Sequence, residues 1–202
     1  FLESLPGVRV VGFTATPYRL VTDGFGGSIL KFLTRTRPRI FEHVIHHVQN
    51  KELFDQGFLA KLVYKIVNTG FDKSKLRLNS TGADYTDESV ARHFRELGFA
   101  DQIVRCVERL RELNRGGALV FTRFVQEALY VASRVPGART VSADTPKAER
   151  EWIVAEFKAG RIPVVCNVGV FCYGFDYPEL ANVILARPTM SLALYYQQVG
   201  RC

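Results

Sequence analysis

"GALVFTRFVQEALYVASRVPGARTVSADTPKAEREWIVAEFKAGRIPVVCNVGVFCYGFDYPELANVILA", residues 117–186, decides the fold. Within it, short apolar runs rich in β-branched residues alternate with longer amphipathic stretches. "GALVFT", "ARTVS", "IPVVCNV" and "ANVILA" read as strands, and "VQEALYVASR" and "TPKAEREWIVAEFKAG" as helices. Thr145 is the expected N-cap of the second helix, with Pro146 in its first turn, where a missing N–H costs nothing. Strands separated by helices of about ten to fifteen residues imply right-handed βαβ units and a parallel sheet covered on both faces. The expected class is therefore α/β.

On the C-terminal side, "SLALYYQQVG" reads as a further helix. It sets Gln197 and Arg201 four residues apart on one face, with Gly200 beneath them. On the N-terminal side, helices are expected over about 86–97 and 100–114, the second strongly amphipathic with Ile103, Val107, Leu110 and Leu113 on one face. Further back, "LAKLVYKIV" (59–67) alternates like a strand, and "NKELFDQG" (50–57) reads as a short helix with Asn50 as N-cap and Gly57 as its stop. "GVRVVGF" (7–13) has the β-branched run of a buried strand, and "TATP" ends it because Pro17 biases Thr16 away from helix. Residues 22–40 combine turn chemistry with the basic "KFLTRTRPR" and read as a loop and domain exit.

Composition narrows the class. The chain has 202 residues, 47% hydrophobic and 23% charged, which suits one good core or one domain plus part of another. No apolar stretch approaches the ~20 residues of a membrane span, so a soluble protein without a membrane partner is expected. Four cysteines without C-x-x-C spacing, and histidines placed elsewhere, suggest neither a metal site nor a disulfide framework, and point to a reducing, cytoplasmic setting. A net charge of +7 and a pI near 9.4 favour a polyanionic partner. The chain opens at Phe1 without an initiator methionine or a signal-peptide pattern, and reads as a fragment.

Taken singly, each polar stretch has an ordinary structural reading. "TAT" could end a strand, "GFD" could be an Asx-turn, and the arginine of "QQVGR" could simply meet the helix dipole. Their succession is more specific. "GFTATPYR", "ALVFTRF", "VSADTPKAERE", "VVCNVGVFCYGFDYPEL", "ILARPT" and "QQVGR" resemble, in this order, the later motifs of superfamily-two helicases and translocases. The resemblance is closest to the RadD-type DNA-repair helicases and spans essentially the whole chain.

That resemblance implies a second RecA-like lobe over 59–202, an interlobe connector over 41–58, and the C-terminal remnant of a first RecA-like lobe over 1–40. It implies ATP with Mg2+ bound in the cleft between lobes, where positive charge from the second lobe meets the γ-phosphate. Arg201 and Gln197 match the catalytic motif, with Gly200 allowing close approach of the opposite lobe. Gly174 and Asp176 match the nucleotide-side "GFD" motif, Asp176 accepting from a ribose or from the motif's own arginine. Thr14 and Thr16 match the hydroxyls that couple the nucleotide site to the nucleic-acid face. Thr122, Arg123, Thr145 and Lys147, then Arg19, are the candidate contacts to single-stranded or branched DNA, bound without sequence preference. Lys31, Arg35, Arg37 and Arg39 form a charge run that could equally be a solvated face.

No G-x-x-x-x-G-K-[ST] occurs, nor an Asp-Glu pair after a hydrophobic strand ahead of Thr14. The phosphate cradle and magnesium carboxylates are therefore expected upstream of Phe1, and the isolated chain is expected to be inactive. At Cys202 the family has a glycine. The function so implied is that of an ATP-dependent DNA helicase or translocase in repair or recombination in the bacterial cytoplasm. A non-catalytic nucleic-acid-binding module, a restriction-system motor and an RNA helicase stay open on residues alone.

Overall fold

The structure is a computed structural model, and it describes residues 7–22, 28–113, 115–172 and 174–201. The N-terminal hexapeptide, residues 23–27, Asn114, Tyr173 and Cys202 lie outside the described residues, and with them the glycine-rich turn expected from sequence and the position of Cys202.

Two hairpin strands come first, β1 (Tyr18–Thr22) and β2 (Ser28–Phe32), followed by the short helix α1 (Asn50–Asp55). Helices α2 (Asp87–Leu97) and α3 (Phe99–Glu112) lead into strand β3 (Ala118–Thr122) and helix α4 (Val125–Arg134). Then follow β4 (Arg139–Val141), α5 (Lys147–Lys158), β5 (Val164–Asn167), β6 (Asn182–Ala186) and α6 (Leu192–Val199). The main sheet has the order β4-β5-β3-β6, and every pairing in it is parallel.

Strand β3 shows why both faces must be covered. All five of its residues are buried, and the strand's period of two divides them. Ala118 and Val120 join Ile103, Val107, Ala128 and Val131 in the layer against α3 and α4. Leu119 and Phe121 join Ile153, Phe157, Val165, Phe171 and Phe175 on the opposite side, against α5 and the loop after β5. Burying one such side chain contributes about 1.5–3 kcal/mol, which is why a continuous apolar run without polar alternation selects a central parallel strand.

The N-terminal third departs from expectation. Residues 8–13 and 59–67 carry no strand ladder, and Val11, Phe13, Val63, Tyr64 and Ile66 are exposed. A β-branched run becomes a strand only beside a partner strand, and among the described residues no strand pairs with either segment. Strand β2 forms instead within the stretch read as loop and pairs with β1 just ahead of it, in antiparallel register with Tyr18 opposite Phe32 and Arg19 opposite Lys31. The Tyr18 and Phe32 rings meet edge-on at 6.3 Å.

Two expected caps also shift. Asn50 is the first helical residue of α1, with Gln49 at the cap. Pro146 occupies the cap position of α5, while the Thr145 hydroxyl accepts from the Ser142 amide at 2.9 Å, closing the preceding turn.

Candidate nucleotide and nucleic-acid sites

Three elements distant in sequence meet around α6. Ser191 starts the helix, its hydroxyl accepting from the Leu194 amide at 3.2 Å. In the last turn of the helix, the Gln197 side-chain amide donates to the Thr16 hydroxyl at 3.4 Å. Thr14 shapes the same loop by accepting from the Thr16 amide at 3.0 Å. Arg201 folds back over the helix end, donating from Nε to the Gln197 carbonyl at 2.9 Å and from Nη2 to Gln197 Oε1 at 3.2 Å. Its Nη1 donates to the Phe175 carbonyl. The structure thus joins Thr14, Thr16, Gln197 and Arg201 to the loop that carries Gly174 and Asp176.

Within that loop Gly174 has φ +68°, a left-handed turn that L-residues rarely adopt, and a Cβ there would meet nothing within 4 Å. The glycine is needed for its backbone angle and leaves open space beside it. Asp176 is exposed, and Arg201 reaches the carbonyl one residue before it instead of its carboxylate. A cavity of about 250 Å³ lies between the loop and α5, lined by Asp176, Gly174, Arg150 and Lys158 among others. Lys158 Nζ stands 5.9 Å above the Phe175 ring. Gly200 caps α6, its amide donating to the Tyr196 carbonyl at 2.9 Å, and an added Cβ would stand 3.0 Å from that same oxygen. The close approach at Gly200 is therefore to its own helix.

Two residues that sequence reasoning passed over hold this loop. Asn167 ends β5 fully buried, its Oδ1 accepting from the Val170 and Phe171 amides at 2.9 and 2.8 Å. Gln198, also buried, donates to Cys172 Sγ at 3.9 Å. Burial pushes the Cys166 thiol on β5 up to about 12, keeping it protonated and inert.

The candidate phosphate contacts separate into two kinds. Thr122 is 1% exposed, and its hydroxyl donates to the Phe124 carbonyl at 3.4 Å. The Arg123 side chain is 7% exposed and turns inward. It donates to Asp87 Oδ1 at 2.8 Å, to the Tyr85 carbonyl at 2.6 Å and to the Pro188 carbonyl at 3.1 Å, with Asp84 at 3.6 Å. In this arrangement both side chains are held by groups of the chain itself. The reason is acidic: Asp84, ahead of α2, and Asp87, its first residue, claim the guanidinium. Lys147, by contrast, is 89% exposed at the start of α5, with Glu151 at 3.8 Å, and Arg19 is exposed on β1. Thr145 is half-buried and committed to its turn.

Among the described residues, no group of three or more His, Cys, Asp or Glu could hold a metal ion, and no helix is long and apolar enough to cross a membrane.

A four-stranded parallel sheet whose carboxyl edge carries the "GFD" loop and receives the "QQVGR" helix defines the C-terminal lobe of a superfamily-two helicase. Residues 101–202 match the helicase conserved C-terminal domain, and the chain belongs to that family. Among curated proteins it is similar to a 51.5 kDa protein of Lactococcus phage (isolate 7-9), 31% identical over 98% of this chain and 41% of the relative. It is also similar to the putative ATP-dependent helicase IRC3 of Saccharomyces cerevisiae, 25% identical over 88% of this chain and 26% of the relative. The chain thus spans less than half the length of either. Among solved structures, S. cerevisiae Dbp5 bound to RNA and ADP BeF3 matches over 50% of this chain and 28% of its own, at 20% identity and a TM-score of 0.45.

Proposed function

We propose that this chain is the second motor lobe of an ATP-dependent DNA helicase or translocase of the RadD type, working in DNA repair or recombination in the bacterial cytoplasm. The observation that carries the reading is the hydrogen-bonded path from Thr16 through Gln197 and Arg201 to the carbonyl of Phe175, which lies between Gly174 and Asp176. It ties a loop of the N-terminal segment to the two motifs that the resemblance assigns to nucleotide chemistry.

The residues present fit one wall of a nucleotide site. Gly174 leaves its backbone open, Asp176 stands exposed as an acceptor for ribose hydroxyls, and Arg150 and Lys158 flank it. Bound ATP with Mg2+ would supply the phosphoanhydride whose hydrolysis powers movement. The magnesium carboxylates and phosphate cradle would come from another lobe. Arg201 would release the Gln197 and Phe175 carbonyls and turn its charge toward the γ-phosphate, where a trans-acting arginine is worth about 10³–10⁵ in turnover. Gln197, freed from Thr16, would orient the attacking water. Exchange of those bonds couples lobe closure to the loop that moves on DNA.

Several further relatives bear the names of ATP-dependent RNA helicases, which favours RNA as the second reading. ATP hydrolysis by the whole protein, assayed with single-stranded DNA and with RNA of the same sequence, separates the two. Stimulation by DNA is expected. Stimulation by RNA alone would overturn the DNA assignment, and nucleic-acid binding without hydrolysis would make the protein a binding module.

A further inference from the structure

A second cavity lies away from the nucleotide motifs. It is an open groove of about 490 Å³ lined by Phe71, Asp72, Lys73, Tyr85, Pro188 and Thr189. Pro188 and Thr189 follow β6, and Arg123, which bridges the groove's walls, follows β3; these strands are parallel, so the groove sits at the carboxyl edge of the sheet. Ligands of open α/β sheets bind at that edge. The opposite wall, residues 71–85, lies ahead of the segment matched by the helicase C-terminal family.

That wall is fixed from three sides. The Asp72 amide donates to Nε2 of the buried His93 at 3.0 Å, which leaves the ring proton on Nδ1, facing Glu96 at 3.3 Å. Phe71 leans on His93 and Phe94, with ring centroids 5.3 and 6.2 Å apart. The Arg123 guanidinium joins the two walls directly, through the Tyr85 and Pro188 carbonyls. Asp84 adds a second bridge, accepting from the Met190 amide at 3.0 Å.

The charges around the groove offset one another. Hydrogen bonding from Ser74 holds the Asp72 carboxyl below its usual range, so it opposes Lys73, and Glu96 stands 3.4 Å from Lys75. Asp84 and Asp87 are set against Arg123. What remains is two aromatic rings, a hydroxyl and a proline in a rigid slot, which suits a flat ring and not a phosphate. We propose that this groove is a base-stacking subsite for single-stranded nucleic acid: one unpaired base lies against Tyr85 and Phe71 while exposed cations elsewhere, such as Lys147, follow the backbone. The subsite rests on the nucleic-acid reading above and adds to it a second, uncharged source of affinity.

The two sources separate by salt. Phosphate contacts set the slope of log affinity against log salt, about 0.7 per phosphate on a single strand, whereas stacking leaves it unchanged. Binding of a fluorescein-labelled oligothymidylate to this chain is measured by anisotropy at several salt concentrations. Tyr85→Ala should weaken binding about tenfold with the slope intact, and Tyr85→Phe should restore affinity. In the unaltered chain, photo-crosslinking of a 5-iodouracil oligonucleotide followed by mass spectrometry should place the adduct on the peptide containing Phe71 or Tyr85. Binding by the wild type with Tyr85→Ala unaffected and crosslinks elsewhere would overturn the subsite and leave the nucleic-acid reading standing. No binding by the wild type at any salt would overturn both, and a reduced slope in Tyr85→Ala would make the groove a phosphate contact.

Discussion

Arg123→Ala separates a clamp from a phosphate contact. The side chain is 7% exposed and holds Asp87, Asp84 and the carbonyls of Tyr85 and Pro188. Removing one partner of a buried pair costs about 3–5 kcal/mol, because the other charge is left without compensation. Here Asp87 is 75% exposed and regains water, whereas Asp84 is only 23% exposed, so the loss belongs at the low end, about 3 kcal/mol. With a urea m-value of about 2 kcal/mol/M, the unfolding midpoint should fall by about 1.5 M, followed by far-ultraviolet circular dichroism. Asp87→Asn should cost less than about 1 kcal/mol by the same assay. A fall below about 0.3 M for Arg123→Ala would refute the clamp. Loss of DNA affinity without loss of stability would return Arg123 to the phosphate track.

Burial pushes the Glu127 carboxyl on α4 up to about 7, against opposing pulls from the Phe124 backbone and the Arg123 charge, and its Oε2 is buried without a partner. A raised carboxyl contributes stability below its unfolded value of about 4.5 and loses it as pH rises through 7. Glu127→Gln should therefore match the wild type near pH 4 and exceed it above pH 7, by about 1–3 kcal/mol after discounting for solvent screening; equal pH profiles would remove the buried carboxylate from the account. Lys147→Ala should lower single-stranded DNA affinity uniformly across sequences and flatten the salt slope by less than one unit, while Arg109→Ala does neither. Equal effects from both would mean that the +7 charge acts diffusely.

The legible parts of this molecule are those where local pattern and tertiary role coincide. Residues 117–186 announce the sheet because β3 and β5 are buried on both faces, and α4 falls on "VQEALYVASR" as read. The segments at 7–13 and 59–67 have the same composition and form no ladder, since a strand is defined by its neighbour as much as by its own residues. At the sites, Gly174 was readable from its turn and Gln197 and Arg201 from their spacing. Arg123 was not readable as a clamp, because its partners Asp84 and Asp87 lie more than thirty residues away in sequence. Buried polar residues were equally hidden: nothing local distinguishes Gln198, which is 1% exposed, from Gln197 beside it. The same holds for His93, whose partner at Asp72 is 21 residues distant.

The central claim is that Arg201, now folded onto Gln197 and Phe175, turns toward nucleotide held by another lobe. Single-turnover ATP hydrolysis by the whole protein in the presence of single-stranded DNA, with Arg201→Ala beside the wild type, tests it most directly. Nucleotide affinity should stay nearly intact while turnover falls about a thousand-fold, the low end for a trans-acting arginine. Turnover equal to the wild type would contradict the role assigned to Arg201 and leave it as a tie between α6 and the "GFD" loop.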